Sequence, residues 1–496
     1  MIDETKTYVL GQRDTTGYLF GLSMVQVMVA GAGMGFMVLF RMGGMGFVPT
    51  LIPAAIGLGV AKARWRNRFA YEWLPVVLRW VARRKSRLWW TETPWDGEAG
   101  DRPAVLTGVV VTEEQFRSRA DVAVVWDRTK AEATVLLEAS GVDFAIQIAS
   151  EQAQLLADFG KVISAFATED SAIARVGWSE LAARQSLDEH MGFVREQTSG
   201  SADPARRADY LEMVRSVGSD TTKHRLLLSI TVSSDAVSRA SSGLVSKRRS
   251  GKSVDDRCVE ALETAATQLT RGLASSGVAV HGLLSRSELA EAMQTAIDPS
   301  RELGLLPAAG RLRHRLGSDV RMGPQETDEE FRYFATDGTV HRTYRIAGFP
   351  RTAQRADWMV NLLSRPEAAR TVTTMFEPVP PRKSQQRIAR QLAKLDAGET
   401  LKLERGRRIS RAEDKAREDV LDLEADLVEG FGVVGYYSLV TISARSVEAL
   451  AVAAEEFEAT AGTAGLMLAP CDGEQASGWA LTLPLGIGAS KSRMAI

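Results

Sequence analysis

The stretch from residue 17 to residue 61 constrains this chain more than any other. Gly17–Phe40 runs for 24 residues without a charge, and Gly43–Ala61 for 19. Only Arg41 and Met42 separate them. A helix needs about 20 apolar residues to cross about 30 Å of hydrocarbon, so both runs are long enough, the second only just. In lipid the backbone satisfies itself only as helix or closed barrel, and neither run alternates as a barrel strand does. A buried helical pair of this length in a soluble core normally carries polar residues on one face. A cleaved leader has a shorter apolar region and no second span close behind it. The reading is therefore a transmembrane helical hairpin over 17–61, preceded by a short polar arm over 1–16. The spacings Gly31-xxx-Gly35 and Ala55-xxx-Gly59 are of the kind that lets two membrane helices pack closely.

Charge orients the hairpin. The chain is almost neutral, with 61 basic and 62 acidic residues, but between Lys62 and Arg87 nine basic residues face a single acid, Glu72. A basic cluster directly after a span marks the cytoplasmic side, because positive flanks resist translocation. Two spans return the N-terminus to that side. The expectation is an inner (cytoplasmic) membrane protein with two helices, both termini cytoplasmic.

Over 62–95 the arginines interleave with aromatic residues at spacings of three and four, which puts many of them on one helical face, kinked or divided at Pro75. Arg64, Trp65, Arg66, Arg68, Trp73, Trp80, Arg83 and Arg84 are the expected membrane-interface residues, since basic faces with Trp suit the lipid headgroup layer. The same chemistry serves nucleic acid, so direct nucleic-acid contact is the alternative there.

From Ala104 the pattern becomes α/β. A first domain over 96–297 reads as strands at Val122–Trp126, Ala133–Glu138, Ser171–Trp178, Leu226–Val232 and Val278–Leu283, with helices at Ser150–Phe166, Val254–Ser275 and Ser287–Ile297. A connector over 298–335 leads to a second domain, 336–496. Its strands are expected at Val340–Ile346, Thr371–Glu377 and Gly432–Ile442, its helices at Thr352–Leu363 and Ser446–Ala461. A helical insertion fills 382–427, broken near Asp396–Glu399 and seamed by Leu392, Leu395, Leu401, Leu421, Leu423 and Leu427. Each half reads strand–helix–strand, polar insertion, strand–helix–strand. The fold class is thus a two-helix membrane hairpin followed by a cytoplasmic α/β (α+β) region of two pseudo-repeated sheet-plus-helix halves.

Chemistry is sparse. Ser246–Ser253 ends in Gly251-Lys252-Ser253 before a helix, as a phosphate-binding loop does. Such a loop needs a glycine-rich turn leaving a buried strand, and here Lys247, Arg248 and Arg249 fill the turn. His190, His224, His281, His314 and His341 have no ligand-spaced neighbours. Cys258 and Cys471, the two cysteines, support neither a disulfide framework nor a cysteine metal site. The reading assigns no catalytic residue, no cofactor and no metal, and keeps Gly251, Lys252 and Ser253 as a nucleotide-binding alternative.

The order of parts resembles that of membrane components of type IV-like secretion and conjugation systems. More specifically, the chain is similar to actinobacterial proteins that join a PrgI- or TrbD-like hairpin to a region like the N-terminal, non-motor domain of TrbE/TraC-type ATPases. The closest echo is Tyr344-Arg345-Ile346-Ala347-Gly348-Phe349-Pro350-Arg351 followed by Trp358-Met359-Val360-Asn361-Leu362-Leu363. The resemblance implies a non-catalytic inner-membrane scaffold working beside a separate motor ATPase. It also implies other membrane components, membrane lipid and a homo- or hetero-oligomeric state. A neighbouring resemblance is to the EccE-like component of type VII secretion, also a hairpin followed by a cytoplasmic α/β domain.

Overall fold

The computed structural model describes residues 24–44, 46–83, 88–89, 103, 105–141, 144–184, 194, 203–218, 222–241, 253–299, 322–324, 326–350, 354–363, 368–404, 406, 408–409 and 411–489. Two apolar helices come first, α1 (Met24–Met42) and α2 (Phe47–Lys62), packed on each other. Their buried positions, Gln26, Ala30 and Gly33 against Thr50, Gly57 and Ala61, recur at helical spacing. At the crossing a Cβ on Gly33 would stand 2.9 Å from the Gly57 Cα, so only glycine permits this approach. The seam is therefore not the expected one. Gly31, Gly35 and Gly59 have open space where a Cβ would sit, and Ala55 is exposed. Gln26 explains the choice of face, because its Nε2 donates to the Ala61 carbonyl at 2.9 Å and so turns inward.

Helix α1 is long and apolar enough to cross a membrane. Helix α2 is apolar but has 16 residues, a rise of about 24 Å. It is shorter than the expected span because Gly43 and Gly44 lie in a turn and the helix begins only at Phe47.

The next segment holds β1 (Arg64–Trp65), β2 (Arg68–Phe69), α3 (Ala70–Arg83) and β3 (Leu88–Trp89). Then follow β4 (Val109–Glu114), β5 (Val122–Asp127), β6 (Glu132–Gly141), α4 (Ala149–Ser164), β7 (Ile173–Arg184), α5 (Pro204–Gly218) and β8 (Thr222–Ser233). Helices α6 (Ser234–Ser241) and α7 (Val254–Leu273) precede β9 (Val278–Leu283) and α8 (Arg286–Ile297). The second half has β10 (Glu326–Glu329), β11 (Phe334–Thr336), β12 (Thr339–Gly348), α9 (Val360–Leu363), β13 (Ala369–Pro378), α10 (Pro381–Glu404) and α11 (Arg411–Val428). It closes with β14 (Val434–Ala444), α12 (Val447–Thr463), β15 (Met467–Pro470) and α13 (Gln475–Thr482).

The strands from β3 onward form one antiparallel sheet in the order β3-β10-β11-β12-β14-β13-β7-β8-β6-β5-β4, with β15 beside β12 and β9 beside β6. The halves are joined where β7 pairs with β13, from Val176↔Phe376 to Ala182↔Arg370. Two expected boundaries move as a result. The connector over 298–335 supplies β10 and β11, and the juxtamembrane segment supplies β3, whose Trp89 pairs with Glu326. Strands β6 and β12 have neighbours laid out alike. Strand β6 pairs with β8 on one edge and shares the other between β5 and β9. Strand β12 pairs with β14 on one edge and shares the other between β11 and β15.

Alternation along the strands divides the core between two faces. In β8, Leu228, Ile230 and Val232 pack under α4 and α7, whereas Leu227 points to the opposite side. In β13, Val372 and Phe376 share that helix-covered face, and Val372 continues it beneath α9 and α12. The opposite face is covered by α8, α13 and the extended segment 483–489. Helix α7 is placed by sequence alone: Ser253 caps it, and Cys258, Leu262, Ala265, Ala266, Leu269 and Leu273 form one buried stripe.

The insertion is an antiparallel helix pair held by Lys402–Glu413 and by Arg417, which lies 3.2 Å from Asp396 and 2.7 Å from Glu399. Its break falls after Glu404 rather than near Asp396–Glu399, since α10 runs through Gly398 and the chain turns at Gly406, φ +64°. Of the expected seam residues, Leu392, Leu395 and Leu427 are half-buried, whereas Leu421 and Leu423 face outward and Ile388 and Val420 are the buried apolar residues of the pair.

Candidate functional site

The apolar helices and the sheet meet through residues 63–83. Arg66 and Asn67 both take left-handed backbone conformations, φ 51° and 61°, in the two-residue turn joining β1 to β2. Such a turn matches the twist of a tight hairpin. It brings a row of basic side chains onto the second half of the sheet. Asn67 Nδ2 donates to the Leu468 carbonyl at 2.7 Å, on β15. Arg66 pairs with Asp472. Arg68 Nη1 lies 3.5 Å from Glu474 Oε2, and Arg79 Nη2, one helix further on, lies 2.9 Å from Glu474 Oε1. Three arginines from the juxtamembrane segment thus converge on two carboxylates in the loop between β15 and α13.

Burial gives this clamp its strength. Asp472 is fully buried and Arg68 nearly so, and charges attract more strongly where water is excluded. The loop is tied down on its other side: Cys471 N donates to the Thr343 carbonyl, and Gln475 Oε1 accepts from Thr343 N at 2.8 Å. Burial also pushes the Cys471 thiol up to about 11, so it stays protonated and unreactive.

An apolar contact runs beside the charges. Trp73 sits between Trp65 and Phe331, with ring centroids 4.7 Å and 6.3 Å away, and Trp80 meets Phe331 edge-on at 5.3 Å. Trp73 Nε1 donates to the Trp65 carbonyl at 3.2 Å. Gly473 has φ +74°, and a Cβ there would stand 2.9 Å from Val76 and 3.1 Å from Phe331. Any larger residue would push α3 off the sheet.

The expected interface residues accordingly separate into groups. Arg66, Arg68, Trp73 and Trp80 contact the sheet unit rather than project away from it. Arg64 is exposed and lies over the Phe69 ring at 4.3 Å, and Trp65 is also exposed. Arg83 ends α3, and Arg84 lies outside the described residues. Pro75 does not divide α3, which continues through it.

Asp472, Gly473, Glu474 and Phe331 complete the clamp and escaped the sequence reading. The signal at 472–474 was two acidic residues flanking a glycine after a short strand, some four hundred positions from the arginines, and Phe331 gave none.

Gly251 and Lys252 lie outside the described residues. Ser253 caps α7: its Oγ accepts from Asp256 N at 3.1 Å, and Asp256 Oδ2 accepts from Ser253 N at 2.9 Å. His190 and His314 also lie outside. His224 bonds Glu180, His281 bonds Ser140, and His341 is buried between Thr336 and Ser443 at 2.8 Å each. Among the described residues, no group of three or more His, Cys, Asp or Glu is placed to hold a metal. Compared with models of known families and with curated proteins, the chain matches none.

Proposed function

We propose that this protein is a non-catalytic inner-membrane scaffold of a type IV-like secretion or conjugative machine, holding a docking platform for a separate motor ATPase at the membrane. The observation that carries this reading is the clamp. A platform must keep a defined position relative to its anchor, and Arg66, Arg68 and Arg79 tie the segment after α2 to Asp472 and Glu474. A tether without such contacts would leave the sheet free to swing.

In this reading α1 and α2 form a transmembrane hairpin with both termini cytoplasmic. The basic run from Lys62 supports that orientation. The two halves are read as copies of one unit, β4-β5-β6-α4-β7-β8-α7-β9-α8 answering β10-β11-β12-α9-β13-β14-α12-β15-α13. The like placement of neighbours around β6 and β12 supports it. The helix pair α10–α11, inserted between β13 and β14, is the arm that grips a partner.

The test is extraction of the full chain from its native membrane in mild detergent. Co-purification of a P-loop ATPase supports the scaffold, and loss of that partner when α10–α11 is deleted assigns the arm. ATP hydrolysis by the pure protein, abolished in Lys252→Ala, would overturn the scaffold in favour of a membrane-tethered nucleotide enzyme.

A further inference from the structure

Helix α3 has two apolar faces, and the clamp uses one of them. Trp73, Val76 and Trp80 turn toward Phe331 and Gly473. Leu74, Val77, Leu78 and Val81 lie on a different face at spacings of three and four, and they are 64%, 39%, 61% and 57% exposed. Exposed apolar residues scattered singly need no explanation. A contiguous helical stripe of four does.

Its surroundings say what covers it. The stripe begins twelve residues after α2 ends, and α1 and α2 expose apolar side chains along their lengths, among them Met34, Phe36, Leu51, Ile52 and Ile56. The surface that must be kept from water therefore continues from α1 and α2 into α3. Arg64 and Trp65, both exposed, stand between them, residue types that settle at the headgroup boundary. Of the arginines expected to read the headgroups, Arg66 and Arg68 are already taken by Asp472 and Glu474, whereas Arg64 stays exposed.

We propose that α3 lies flat in the cytoplasmic surface of the bilayer, with Leu74, Val77, Leu78 and Val81 among the upper acyl chains and the adjoining face of Trp73, Val76 and Trp80 carrying the sheet. Helices of this kind sink about 5–10 Å into the boundary region. The attachment rests on apolar burial more than on lipid charge, so it holds on neutral as well as anionic bilayers. Helix α3 is then a coupling element: lipid fixes its tilt on one side, and the clamp passes that tilt to the sheet on the other. This rests on the membrane reading of α1.

Spin labelling of the full chain in nanodiscs tests it. Single cysteines replace Leu74, Leu78 or Val81 in turn, with Phe36→Cys on α1 as the lipid control and Glu424→Cys on the arm as the water control. Native Cys258 and Cys471 are buried and serve as slow-reacting background. The expected result is a several-fold higher ratio of oxygen to nickel-chelate collisions at the three α3 positions than at Glu424→Cys, in neutral and anionic discs alike. A water-like ratio on α3 with a lipid-like ratio at Phe36→Cys sinks the proposal and leaves the anchor intact. A water-like ratio at Phe36→Cys sinks the anchor as well. Dipolar broadening between copies at Leu78→Cys would assign the stripe to a second copy of the chain and overturn the lipid assignment.

Discussion

The two halves of the sheet are covered differently. On one face, β6–β9 lie under α4 and α7, helices of 16 and 20 residues that close that core with Ile163 and with the stripe from Cys258 to Leu273. The corresponding place over β12–β15 has α12 and only the four-residue α9. On the other face the second half has α13, with Trp479 fully buried. Over the first half lie α8 and the extended segment after α13, where Lys130 Nζ donates to the Gly488 carbonyl at 2.7 Å. Among the described residues the segment after α2 contacts the second half, through β3, Phe331, Asp472 and Glu474, and the α10–α11 insertion belongs to that half. The first half is therefore the plainer packing unit, and the second bears the ion pairs to the segment after α2.

Breaking the clamp is the largest expected way to separate them. Glu474→Ala leaves Arg68 buried without its counter-charge, a loss of about 3–5 kcal/mol. Hydrogen exchange should quicken over 64–83 and the β15–α13 loop while α7 stays protected. Equal loss of protection in α7 would mean that the halves do not differ in this way. Asp472→Ala should cost less, because Arg66 retains access to water.

The converse change is Leu262→Ala, at the centre of the first-half core, with an expected cost of about 2–5 kcal/mol from lost burial and the cavity left behind. Denaturant unfolding should register it with the exchange rates of 64–83 unchanged. Because the sites share no partner, the double variant with Glu474→Ala should be additive to within about 0.5 kcal/mol.

His341 sharpens the comparison through pH. Burial pushes its pKa from 6.5 down to about 3, so the folded second half holds it neutral. As pH falls below about 6.5 the unfolded chain takes a proton that the folded chain refuses, and stability drops by up to about 1.4 kcal/mol per pH unit. Full stability from this group is present above that value. Thermal melts between about pH 6 and about pH 4 should be less steeply pH-dependent in His341→Gln than in the parent. An unchanged slope would remove His341 from the account.

The smallest effect belongs to the arm. Arg417→Ala breaks two ion pairs between half-exposed side chains, for which about 1 kcal/mol or less is expected. A change in partner capture beyond that small loss of stability would assign Arg417 a binding role in addition to its structural one.

What could be read from the chain alone was what one element decides by itself. Charge-free length marks α1, because crossing hydrocarbon is a property of a single helix. Helical spacing of Cys258, Leu262 and Leu269 marks α7, and the apolar runs Ala133–Glu138 and Leu226–Val232 mark β6 and β8. The strands β3, β10 and β11 were missed because they have only two, four and three residues, too few to show a period, and β3 finds its partner far along the chain. Tertiary structure alone chose Gly33 and Gly57 over Gly31, Gly35 and Gly59, since several glycines offered close approach and Gln26 needed an inward partner. It alone brought Arg66, Arg68 and Arg79 to Asp472 and Glu474. A basic run advertises its charge but not its counter-charge, and the matching carboxylates lie some four hundred residues away, where only folding brings them within reach.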